Sequence, residues 1–69
     1  MKYWVVIEKT PRNYSAYVPD LPGCISTGKT LSDIKRNIRE AIAFHIEGMK
    51  VEGLPIPEPS TRTDLVEVA

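Results

Sequence analysis

The chain carries one cysteine, Cys24, and one histidine, His45. An internal disulfide is therefore excluded, and so is a structural zinc site, which draws its ligands mainly from these two residue types. Net charge is also missing, because nine Lys and Arg balance nine Asp and Glu. Phosphate binding relies on accumulated cations, so this balance argues against DNA or RNA as the main partner. Long apolar runs are absent too. The stretch Tyr3-Trp4-Val5-Val6-Ile7 is closed at once by Glu8, far below the roughly 20 residues that a membrane-spanning helix needs. It has neither the length nor the small-residue cleavage site of a secretory signal. A lone unpaired thiol fits a reducing compartment, and the cytoplasm is the expected location.

What is present is ordinary globular composition: 69 residues, 42% apolar and 26% charged. That is room for one domain, residues 1–69. A chain this short buries only about 60% of the surface that its unfolded form exposes. With neither disulfide nor metal to reinforce the core, association with another chain is the expected remedy, as a homo-oligomer or with an obligate partner.

Tyr3 to Ile7 is rich in aromatic and β-branched residues and reads as a strand. Thr10-Pro11-Arg12-Asn13 supplies a turn, since Pro presets φ and Asn tolerates tight backbone. Tyr14 to Val18 then returns as a second, antiparallel strand. Pro19-Asp20-Leu21-Pro22-Gly23 cannot continue a ladder, because its two prolines lack the N–H donor. Cys24 to Thr27 reads as a short third strand, ended by Gly28.

Thr30 can cap a helix, with Asp33 a near-match to the capping box and suited to the positive end of the helix. Leu31, Ile34, Ile38, Ala41, Ile42, His45 and Met49 fall at three- and four-residue spacings and form one apolar stripe. The helix is expected to reach Val51 or Glu52, with Gly53 as its stop. Gly48 lies inside it, at a cost of about 1 kcal/mol relative to Ala. Pro55, Pro57 and Pro59 impose a stiff, extended path, and Thr61 to Val68, with Leu65, Val66 and Val68, is expected to form a last strand.

The order β-β-β-α-β specifies an α+β domain. A right-handed crossover through the helix sets the fourth strand beside and parallel to the first, giving a mixed sheet of order 3-2-1-4 with one long helix on one face. The opposite face is left uncovered. Trp4, Val6 and Tyr17 are its candidate interface residues, with Asp20 and Leu21 in the adjoining loop.

Enzyme signatures are mostly absent. Gly23-Cys24-Ile25-Ser26-Thr27-Gly28-Lys29-Thr30 spells a phosphate-binding loop, but the residues between its glycines have strand character. Cys24 and His45 form no evident nucleophile pair, because nothing in the sequence orients the imidazole. Asp20, Asp33, Glu40, Glu47, Asp64 and Glu67 show no convergence on a metal. A catalytic, cofactor or metal site is therefore not expected. Lys29, Lys35, Arg36 and Arg39 make a basic patch, the candidate for a weak nucleic-acid contact. A small nucleic-acid-binding or regulatory oligomer is accordingly the alternative reading of the chain.

The stretch Tyr14-Ser15-Ala16-Tyr17-Val18-Pro19-Asp20-Leu21-Pro22-Gly23-Cys24 closely resembles the HicB antitoxin family. So do Gly28-Lys29-Thr30-Leu31, the helix segment Asn37-Ile38-Arg39-Glu40-Ala41-Ile42, and Glu52-Gly53-Leu54-Pro55-Ile56-Pro57-Glu58-Pro59. The resemblance implies a truncated ribonuclease H-like fold without the ribonuclease H carboxylate cluster, and dimers or higher oligomers. It implies a partner as well: a HicA-type toxin, a small mRNA-cleaving ribonuclease that the antitoxin sequesters and inhibits. Many members add a DNA-binding domain. None is seen up to Ala69, so direct promoter binding is not expected of this chain.

Overall fold

A computed structural model of the chain describes all 69 residues. Three strands precede one helix: β1 (Val6–Lys9), β2 (Tyr14–Tyr17), β3 (Ile25–Gly28) and α1 (Leu31–Val51). The strands pair antiparallel in the order β1-β2-β3. The hairpin between β1 and β2 is closed at Thr10 and Asn13. The Thr10 amide donates to the Asn13 carbonyl at 2.8 Å, and the Thr10 hydroxyl donates to Asn13 Oδ1 at 2.7 Å. Tyr3 and Val5 lie ahead of the ladder, so β1 starts later than the apolar run suggests, yet both still pack on the core.

The turn after β2 is built from Pro19-Asp20-Leu21-Pro22-Gly23. The Leu21 amide donates to the Val18 carbonyl at 3.0 Å, the Cys24 amide to the Leu21 carbonyl at 3.0 Å, and the Val18 amide to the Cys24 carbonyl at 3.1 Å. Gly23 has φ +84°, a conformation that side chains beyond glycine rarely adopt. The turn drives Leu21 inward, where it is completely buried.

Both helix ends follow from local chemistry. Thr30 caps the start by accepting the Asp33 amide at 3.0 Å. The end is a Schellman motif: Leu54 donates to the Met49 carbonyl at 2.9 Å and Gly53 to the Lys50 carbonyl at 3.1 Å, with Gly53 at φ +71°. The helix stripe meets one sheet face through Ile34 and Ile38, joined by Ala41, Ile42, Ile46 and Met49. Leu31, expected in that stripe, is half-exposed in the first turn. At the helix start α1 rests directly on β3: an added Cβ at Gly28 would lie 2.7 Å from the Ile34 amide nitrogen. Asn37 fastens the same corner by donating to the Thr27 carbonyl at 2.9 Å.

The fully buried core is only Ala16, Val18, Leu21, Cys24, Ile34 and Ile38. The expected fourth strand is not formed. Thr61 to Val68 joins no ladder, and the sheet has three strands in place of the four in the expected 3-2-1-4 order. The cause is the clamp at Asp20, in the turn after β2. Its carboxylate accepts from the Thr61 hydroxyl at 2.7 Å, from the Ser60 hydroxyl at 3.1 Å, and from both amides at 3.2 Å. This fastens the chain at residues 60 and 61 to the turn between β2 and β3, after the Tyr3 hydroxyl has donated to the Pro57 carbonyl at 2.6 Å. Beyond the clamp, every residue from 62 to 69 is exposed. The radius of gyration, 13.6 Å, exceeds the roughly 11 Å of a compact chain of this length.

Candidate protein-binding site

Alternation along the strands sorts their residues between two faces. Ile7, Tyr14 and Ala16 pack on the core beneath the helix, so Val6, Glu8, Ser15 and Tyr17 point to the other side. The ladder registers Val6 with Tyr17 and Tyr17 with Ile25, which makes one continuous apolar row across all three strands of the open face. Trp4 extends the patch beyond the start of β1. Trp4 is 53% exposed, Tyr17 42% and Ile25 70%. No element of the chain covers this face.

The candidate interface residues thus separate by location. Trp4, Val6 and Tyr17 share the open face. Asp20 is occupied with the Ser60–Thr61 clamp, and its hydrogen bonds, led by the Thr61 hydroxyl, hold its carboxyl below the ordinary aspartate value. Leu21 is wholly inside the core and offers no surface. Ile25, read in the sequence only as part of the short third strand, joins Trp4, Val6 and Tyr17 on the open face. The row Val6-Tyr17-Ile25 becomes visible only once the strand register is known.

The basic patch divides in the same way. Arg36 is tied to Asp33 at 3.1 Å on the exposed helix surface. Lys35 and Arg39, one turn apart, instead line a groove of about 570 Å³ between α1 and the start of β1. Its floor is Val5, Ile7, Ile38 and Ile42, and Lys2 lies at its rim. Lys29 sits in the short link before the Thr30 cap. A second apolar surface lies on the helix itself, where Phe44 is 83% and Val51 80% exposed. These two are seven residues apart with Gly48 between them, a spacing that puts all three on one helical face.

The chemistry tests have plain structural outcomes. In the phosphate-loop lookalike Ile25 to Gly28 are β3, and Thr30 serves as the helix cap. Cys24 is buried, and burial pushes its thiol up, away from the thiolate a nucleophile needs. His45 is half-buried beside Leu21, Pro22 and Met49. No three His, Cys, Asp or Glu side chains come together as a metal cluster. No helix is long and apolar enough to cross a membrane.

Comparison with known proteins bears on this arrangement. Residues 3–68 match the family model described as the HicB_like antitoxin of bacterial toxin-antitoxin systems. The chain belongs to the HicB-like antitoxin family. A UPF0150 protein of Thermoplasma acidophilum is 45% identical over 58 residues, which are 83% of this chain and 84% of that protein. A protein from the rep-hol intergenic region of Haemophilus phage HP1 is 48% identical over 58 residues, which are 84% of this chain but 44% of the phage protein. The HicB-like chain thus spans less than half the length of that phage relative. Among solved structures, a chain of the HicA3 and HicB3 toxin-antitoxin complex superposes with TM-score 0.75 at 42% identity, covering 87% of this chain and 70% of that one. Family and structural match together relate this HicB-like chain to the antitoxin side of toxin–antitoxin systems.

Proposed function

We propose that this chain is a non-catalytic antitoxin module that sequesters a HicA-type mRNA-cleaving toxin and blocks its access to RNA. The observation that supports it most directly is the open sheet face. An antitoxin-family chain presents Trp4, Val6, Tyr17 and Ile25 together on a side that nothing in the chain covers. Aromatic anchors in a desolvated centre dominate most protein interfaces. Glu8 shares the same face and adds an acid suited to a cationic RNA-binding surface. Inhibition then needs no chemistry from the antitoxin. Covering the toxin excludes the substrate, and the single domain acts as part of an oligomer in the cytoplasm. A truncated ribonuclease H-like sheet serves here as a binding platform.

Co-expression with a HicA-type toxin, followed by affinity purification, tests this. The wild-type chain is expected to retain the toxin. Tyr17→Glu and Ile25→Glu, which leave the core untouched, are each expected to weaken the complex by at least about 30-fold, the loss typical of a central interface residue. Retention of full affinity by both folded variants would move the toxin site off this face. Absence of any complex with the wild-type chain would remove the antitoxin reading itself.

A further inference from the structure

Two features of the chain are unpartnered and complementary. The first is the outer edge of β1, which has no ladder neighbour, together with the groove between it and α1. The groove has an apolar floor of Val5, Ile7, Ile38 and Ile42 and carries the cations Lys35 and Arg39. The second is the segment Asp64-Leu65-Val66-Glu67-Val68, in which Leu65 is 99%, Val66 75% and Val68 83% exposed.

Laid out as a strand, this segment puts Asp64, Val66 and Val68 on one side, and Leu65 and Glu67 on the other. The first side fits the groove, with two valines for the floor and a carboxylate for Lys35 and Arg39. On the second side, Leu65 would extend the open-face row of Val6, Tyr17 and Ile25. Both faces of the sheet and the charge pattern are then satisfied by one added strand.

The chain's own segment does not take this edge: Asp20 fastens Ser60 and Thr61 to the turn that follows β2, and residues 64–68 join no ladder. We infer that the occupant is the same segment of a second copy. Residues 64–68 of each protomer add a strand to the free edge of its partner's β1, and the exchange is reciprocal. Asp64 faces Lys35 and Arg39 near the helix start, which sets the added strand antiparallel to β1. The three-stranded sheet becomes four-stranded only in the dimer.

The experiment uses the full chain without toxin, so its outcome is independent of the toxin reading. Sedimentation of the wild-type chain is expected to show a dimer. Val66→Asp combined with Val68→Asp is expected to raise the dimer dissociation constant by roughly a hundredfold or more, from two lost valine burials, with the helical circular dichroism unchanged. Lys35→Glu with Arg39→Glu is expected to weaken the dimer at low salt, and adding Asp64→Lys to that variant is expected to restore it. A monomeric wild-type chain would overturn the exchange, whether its residues 64–68 exchange hydrogen freely or are protected by folding back on their own β1. A dimer indifferent to the valine and charge substitutions would overturn it equally, by showing that the copies meet elsewhere.

Discussion

Gly28 and Gly48 should respond to the same substitution, Gly→Ala, with opposite signs. At Gly28 the new Cβ would lie 2.7 Å from the Ile34 amide nitrogen and 3.0 Å from both the Asp33 carbonyl carbon and the Ile34 Cα. All three are backbone atoms of the first helical turn, and none can rotate aside. Either α1 lifts off β3 or the strand end is displaced. Overpacking of this kind costs about 2 kcal/mol. Alanine recovers part of that by restricting the unfolded chain, about 0.7 kcal/mol. The net loss of about 1.3 kcal/mol should lower Tm by roughly 5–10 °C in a domain of this size. At Gly48 nothing lies within 4 Å of the added methyl. Alanine there should gain about 1 kcal/mol from helix propensity and raise Tm by roughly 4–8 °C. Thermal unfolding followed at 222 nm, at one fixed protein concentration because association would shift Tm, reads both variants. Equal or higher stability of Gly28→Ala would refute the direct seating of the helix start on β3.

Other consequences are as specific. Replacing Thr30 with Ala removes the acceptor for the Asp33 amide and should cost about 1 kcal/mol, read as a lower urea midpoint at unchanged slope. Asp20→Asn should loosen the Ser60–Thr61 clamp and speed amide exchange at both residues. Because the folded carboxyl titrates below its ordinary value, its contribution is present at neutral pH and is lost as the pH falls through that lowered value. The stability gap between wild type and Asp20→Asn should therefore close in strong acid, whereas a constant gap would contradict the clamp. The buried Cys24 thiol should resist iodoacetamide in the folded chain and react on unfolding, as mass spectrometry would show.

Elements whose signal is local were legible in the sequence. The Thr30 cap, the Gly53 stop and the helix between them are where turn and capping chemistry put them, because each depends on residues within one helical turn. The hairpin and third strand were legible for the same reason, though β1 begins three residues later than its apolar run does. The failures share a cause in long-range contacts. Thr61 to Val68 has a strand's composition, but a strand also needs an edge, and the Asp20 clamp joins residues 40 apart in sequence to steer it elsewhere. Leu21 looked like a loop residue available to a partner, and only the turn's hydrogen bonds reveal that it plugs the core. Ile25 joined the candidate site through register, and Phe44 lies outside the stripe that periodicity picked out. Lys35 and Arg36 are adjacent in sequence and diverge in space, since neighbours on a helix point about 100° apart.

Inhibition by covering the toxin is read out by an RNA-cleavage titration. Purified HicA-type toxin would be titrated with the wild-type chain and with Tyr17→Glu. Cleavage should fall to background as the wild-type chain reaches stoichiometric amounts, while the variant requires a large excess. Undiminished cleavage in a formed complex would contradict it.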